Sequence, residues 1–236
     1  MNAIRRALLR KRGIVPRQGD WAAPRAYCAG EDARDIDWRT TARTGRLFAR
    51  ERERDASLTW SAVLDGSGSM HVGRRRTLYA SAFEAFQLWR GLLAPHDRWV
   101  DAAQTGELSL TAALEAALQH LPSATALLAV SDVYALGTLS SSLLHAVAHR
   151  FDCTVLIARD PWHEELPLRG FVTIVDAETA QTRACYIGPQ ERARYRDAVL
   201  ACEAQVTRVL QAAGCRAGVL EERDALTAIM RAFDIA

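Results

Sequence analysis

Leu58-Thr59-Trp60-Ser61-Ala62-Val63-Leu64-Asp65-Gly66-Ser67-Gly68-Ser69-Met70 runs from an unbroken apolar, β-forming segment through a carboxylate into a Gly/Ser loop. Apolar runs without alternation mark strands buried on both faces, the habit of parallel sheets. Immediately downstream, Leu78, Ala82, Ala85, Phe86, Trp89 and Leu93 recur at helical spacing. The local order is therefore strand, short loop, helix.

The unit recurs along the chain. Residues 112–121 have a helical pattern, 126–130 form a continuous apolar strand, and Ser131-Asp132 ends it. Ser140 is placed to cap a helix carrying Leu143, Leu144 and Val147. Residues 153–157 read as another buried strand, and 171–175 with 183–187 as a strand pair about a turn at 177–181. Pro189 opens a long helix with Tyr195, Val199, Cys202, Val206 and Leu210 on one face, and Gly214 is placed to stop it. A short strand at 217–220 and a last helix with Leu226, Ile229, Met230 and Phe233 complete the pattern. Such alternation predicts an α/β fold: a doubly wound, mostly parallel sheet with helices on both faces.

Towards the N-terminus the periodicity fades. Residues 13–50 carry scattered Gly, Pro and charge, yet Trp21, Tyr27, Ile36, Trp38 and Phe48 give them groups to bury. We expect residues 1–50 to form an irregular arm packed on a core domain of residues 51–236. The arm would begin with a short amphipathic helix around Ile4, Ala7, Leu8 and Leu9. This start lacks the apolar run and cleavage site of a secretory signal. Arg50-Glu51-Arg52-Glu53-Arg54 reads as a solvated charge run.

Thirty basic residues against 28 acidic ones leave a net charge of +2, which gives no footprint for nucleic acid. No apolar stretch is long enough for a membrane span. Cys28, Cys153, Cys185, Cys202 and Cys215 are odd in number and show no C-x-x-C spacing, which fits reduced thiols in a cytoplasmic protein.

Open parallel sheets bind ligands at the carboxyl ends of their strands, where the strand order reverses. Two strands here end in carboxylates, Asp65 and Asp132. In Asp65-Gly66-Ser67-Gly68-Ser69, alternate positions of a tight loop can face one point. Ser67 and Ser69 would then add neutral hydroxyls to the two carboxylates. Hard oxygen donors with retained waters suit magnesium or manganese. The bland alternative is a tight turn that needs Gly and Ser, with each Asp capping a helix. His71, Gly66 and Gly68 would form the partner-facing side of such a site.

D-x-S-x-S after the first strand, with an Asp after a later one, resembles the metal-ion-dependent adhesion site of von Willebrand factor A-like domains. The flanks narrow the resemblance. Gly30-Glu31-Asp32-Ala33-Arg34-Asp35-Ile36-Asp37-Trp38, then Ala42-Arg43-Thr44-Gly45-Arg46-Leu47, is similar to a segment of the domain of unknown function 58 family. Asp160-Pro161, Glu164-Glu165-Leu166-Pro167, Gly170 and Asp176-Ala177-Glu178-Thr179 resemble that family's later motif. The resemblance spans about residue 13 to the end and implies a Rossmann-like, von Willebrand factor A-like sheet. It also implies work beside a MoxR-type AAA+ ATPase, whose genes often neighbour those of the family, in protein maturation or assembly. That is the role of an adaptor or binding module and not of an enzyme.

Von Willebrand factor A-like domains usually have a strand pair after the first helix and a threonine ligand on a later loop. Here the region is compressed into residues 97–106. Thr105, Ser109 and Thr111 are all candidates, and Thr105 is carried with the metal set. Asp32, Arg34, Asp37, Trp38 and Arg43 are read as paired charges and packing that pin the arm. His96, His120, His145, His149 and His163 show no ligand spacing. A hydrolase using Ser67 or Ser69 with His71 is disfavoured because G-x-S-x-G is absent. A structural partner with a degenerate metal site is the remaining alternative.

Overall fold

The structure, a computed structural model, describes residues 2–11, 25–28, 33, 36–49, 57–73, 75–102, 109–163, 165–222 and 224–235. It divides into two compact units, Met1–Ile4 with Leu58–Ala236 and Arg5–Ser57. The helix α1 (Asn2–Lys11) is amphipathic, with Ile4, Leu8 and Leu9 buried.

In the smaller unit, β1 (Arg25–Ala26) and β2 (Phe48–Ala49) pair antiparallel, with α2 (Trp38–Thr44) between them in sequence. Asp37 caps α2: its carboxylate accepts from the backbone N–H of Arg39 (3.1 Å) and of Thr40 (3.2 Å). Gly45, at φ +70°, ends the helix in the left-handed conformation that suits glycine. Trp38 corrects the expectation of a buried anchor, since it is 61% exposed on a helix that buries no side chain. Arg43 is exposed on the last turn of α2, whereas Trp21, Asp32 and Arg34 lie outside the described residues, as does the charge run 50–54.

The larger unit runs β3 (Thr59–Leu64), α3 (Leu78–Arg90), β4 (Arg98–Trp99), α4 (Leu110–His120), β5 (Ala126–Asp132), α5 (Val133–Gly137) and α6 (Ser141–Arg150). There follow β6 (Asp152–Ala158), the hairpin β7 (Gly170–Val175) and β8 (Thr182–Ile187), α7 (Pro189–Ala212), β9 (Arg216–Leu220) and α8 (Ala225–Ala232). Five strands form one parallel sheet in the order β4-β3-β5-β6-β9, and β7-β8 form a separate antiparallel pair. Helices α3 and α8 cover one face, and α4, α6 and α7 the other. This is the doubly wound sheet expected, and its central strands β5 and β6 are buried along their whole length.

Asp97 pins the start of β3. It accepts from the Leu58 N–H (2.9 Å), from the Trp60 indole N–H (2.9 Å) and from the Ala94 N–H (3.0 Å). The Trp60 ring packs edge-on against Trp89, 5.0 Å between centroids, and Trp89 donates its indole N–H to the Ser61 carbonyl (3.1 Å). At the far edge, a Cβ on Gly218 would lie 2.7 Å from the Ala228 carbonyl oxygen, so only glycine lets α8 approach β9 this closely.

Details of the strand and helix pattern differ. β4 pairs with β3 over two residues only. The short helix α5 follows directly on Asp132. The buried stripe of α8 is Ala225, Ala228, Ile229 and Ala232, and Leu226 is exposed because the helix turns its small residues onto β9. No two of the five cysteines are joined in a disulfide, and among the described residues no helix is long and apolar enough to cross a membrane.

Replacing Asp97 by Ala is expected to cost about 2–4 kcal/mol. It removes a charged acceptor from three donors and strands a buried indole N–H. Urea unfolding followed by tryptophan fluorescence measures this, and a loss under about 0.5 kcal/mol would refute the role.

Candidate functional site

The sheet order reverses beside β3, whose neighbours are β4 and β5. The crevice of a doubly wound sheet opens at such a point, beyond the carboxyl ends of the strands. Asp65 follows β3 there, and Asp132 ends β5 beside it. The register Leu64↔Val130 sets the two ends level, and the Asp65 N–H donates to the Val130 carbonyl (3.0 Å).

A chain of hydrogen bonds links the loop. The Asp65 carboxylate accepts from the Ser67 N–H (2.9 Å) through one oxygen and from the Ser131 hydroxyl through the other. The Ser67 and Ser69 hydroxyls lie 3.1 Å apart, and Ser69 donates to Asp132 Oδ2 (2.5 Å). Asp132 Oδ1 accepts from the Tyr134 N–H (2.7 Å) and the Ala135 N–H (2.8 Å), capping α5. Asp65, Ser67, Ser69 and Asp132 thus share one small cluster. The metal and cap readings of Asp132 are compatible, since each uses a different carboxylate oxygen.

Asp65 is 0% exposed and Asp132 3%. Among the described residues no basic side chain pairs with either. Two buried carboxylates, linked through the Ser67 backbone N–H and the Ser67 and Ser69 hydroxyls, form an oxygen-only donor set. Such a set fits a hard divalent ion, because buried charge calls for compensation. Among the described residues no group of three or more His, Cys, Asp or Glu is placed to hold a metal. Among the described residues, an ion there would rest on these two carboxylates, the hydroxyls and water.

The other candidates are distributed differently. Thr105 lies outside the described residues. Ser109 caps α4, accepting from the Ala112 N–H (3.4 Å), and Thr111 is exposed on the first turn of that helix. His71 is exposed, its ring stacked on Tyr79 at 5.1 Å. Gly66 is half-buried between Asp65 and Ser67, and Gly68 lies under the β7–β8 turn.

Two participants went unrecognised in the sequence. Ser131 hides at the end of an apolar strand, although it directly precedes Asp132. Glu178 is distant in the chain, yet its carboxylate accepts from the Ser69 N–H (2.8 Å). Its only signal was its place in the Asp176-Ala177-Glu178-Thr179 segment.

An aromatic and histidine group flanks the cluster. Tyr134, two residues past Asp132, packs edge-on to His163. Burial, with Tyr134 adding to it, pushes the Tyr195 phenol up to about 12. Burial also holds the His163 imidazole below its ordinary 6.5, against the pull of Asp160 and Glu203.

Residues 23–88 and 84–205 match the family described as "Protein of unknown function DUF58". Uncharacterized proteins of Mycobacterium bovis and of two strains of Mycobacterium tuberculosis are each 27% identical to this chain. The alignments cover 93% of this chain and 80% of theirs. No solved structure gives a significant match.

Ser131→Ala should destabilise the metal-free protein by about 1–3 kcal/mol, since it takes a donor from a fully buried carboxylate. Denaturation in EDTA measures this, and a variant as stable as wild type would remove Ser131 from the site. A second expectation concerns pH. The unfolded chain takes up the His163 proton first, so stability from this group is full above about pH 6.5 and declines as the pH falls through it. Melting temperatures between about pH 7.5 and about pH 5.5 should fall more steeply in wild type than in His163→Gln.

Proposed function

The chain belongs to the family described as Protein of unknown function DUF58, and on that premise we propose that it is a divalent-metal-assisted protein-binding module. We place it as an adaptor working with a MoxR-type AAA+ ATPase in protein maturation or assembly. The observation that carries this reading is the pair of buried carboxylates, Asp65 and Asp132, linked through the Ser67 N–H and the Ser67 and Ser69 hydroxyls and matched by no cation among the described residues.

Asp65, Ser67, Ser69 and Asp132 would hold magnesium or manganese in the manner of a von Willebrand factor A-like adhesion site. Thr105 stays a candidate for the later loop. A bound ion supplies a positive centre with exchangeable waters, to which an acidic residue of a partner can add. The chain's own residues do the rest. Asp65 and Ser131 fix the loop, Asp132 couples it to α5, and the two serines present their oxygens at the crevice.

The degenerate-site alternative draws on the same hydrogen bonds, because the hydroxyls and carboxylates already satisfy one another without an ion. The hydrolase alternative has less behind it. The Ser67 hydroxyl pairs with Ser69, and His71 stacks on Tyr79.

Magnesium at about a hundred times its dissociation constant should stabilise the protein by about 2.7 kcal/mol, a melting shift of about 5–10 °C for a domain of this size. Asp65→Asn should abolish the shift. Capture of a MoxR-type ATPase should weaken in EDTA by the factor by which that partner tightens metal binding, since linkage is reciprocal. If metal shifts neither protein and EDTA leaves capture unchanged, the degenerate-site reading replaces this one.

A further inference from the structure

The tip of the β7–β8 hairpin sits on the Asp65–Ser69 loop. Glu178 accepts from the Ser69 N–H at 2.8 Å across 109 residues of chain. The contact beside it is between backbones. A Cβ on residue 68 would lie 2.3 Å from the Ala177 carbonyl oxygen, so the turn descends into space that only glycine leaves open. The loop's second glycine thereby gains a reason that a tight turn alone does not give.

The tip is built to hold Glu178 in place. The Asp176 carboxylate accepts from the N–H groups of Glu178 (2.8 Å) and Thr179 (3.1 Å). The Asp176 N–H donates to the Gln181 carbonyl (2.8 Å), and the Ala180 N–H to the Asp176 carbonyl (2.9 Å). Ala180 adopts φ +55° to close the turn. Behind the tip the hairpin stands apart from the main sheet, with Phe171 and Val175 exposed. An arm with so little apolar burial is free to lift at modest cost, and a carboxylate is what the proposed site takes from a partner.

We propose that the β7–β8 turn is an internal, displaceable occupant of the site: Glu178 fills the position at which an acidic residue of a partner meets the Asp65–Ser69 loop. The free chain is self-capped, and engagement of the partner requires the turn to leave. This inference rests on the reading of the loop as an oxygen-donor site that accepts an acidic partner.

The test uses the full chain and acetate as the acidic probe, in magnesium and separately in EDTA. Backbone amide exchange and amide chemical shifts of positions 68 and 69 are followed in wild type, Glu178→Ala and Gly68→Ala. Glu178 is exposed, so its replacement should leave the fold intact, whereas Gly68→Ala evicts the turn by steric means with the carboxylate retained. The Ser69 amide should exchange about tenfold faster in Glu178→Ala, the loss of one hydrogen bond to a charged acceptor. Acetate should perturb both variants at concentrations about tenfold below those needed for wild type. Equal Ser69 exchange in wild type and Glu178→Ala overturns the proposal, and so does acetate acting equally on all three proteins or on none. Failure of the metal reading shows separately: Glu178-dependent protection and acetate discrimination persist, but magnesium makes no difference to either.

Discussion

β3 and β5 are neighbours although α3, β4 and α4 lie between them in the chain, and the arrangement at the carboxyl edge depends on that adjacency. With Leu64 opposite Val130, Ser131 comes level with Asp65 and donates to it, and Asp132 lies within reach of Ser69. Side chains along a strand alternate between faces. A slip of one residue would carry Ser131 to the opposite face and leave Asp65 buried without its hydroxyl donor. The apolar residues of β5 fix the register, since Leu127 and Ala129 belong to the core beneath α4, α6 and α7. The polar site is therefore aligned by hydrophobic packing well below it.

Hydroxyls are suited to this position because they can both give and receive. Ser69 donates to Asp132, and its oxygen keeps lone pairs for another donor or for a cation. An amide or ammonium in the same place would commit the carboxylates to one state. A serine chain lets the same side chains satisfy one another when alone and turn their oxygens outward with only rotations about single bonds.

The strands were legible because parallel strands covered on both faces carry uninterrupted apolar runs, as residues 126–130 and 153–157 do. The loop at 65–69 was legible because its alternation of glycine and polar residues starts where the apolar run stops. Short elements leave no such trace. α5 has five residues, too few for a helical period, and β4 has two, one of them an arginine. Leu226 was misplaced because the close packing of α8 on β9 selects small residues over large ones, which hydropathy alone does not anticipate. Glu178 was beyond reach for a different reason: a hydrogen bond between residues this far apart is set by tertiary geometry, and no local pattern encodes it.

That separation also orders events during synthesis. A chain emerging from the ribosome presents the serine loop long before the hairpin that covers it exists, and β5, with Asp132, also precedes β7. Contacts between distant residues form after local ones, because closing a long loop costs entropy first. The half-made protein therefore passes through a stage in which its serine loop is uncovered. The hairpin ends that exposure when it folds.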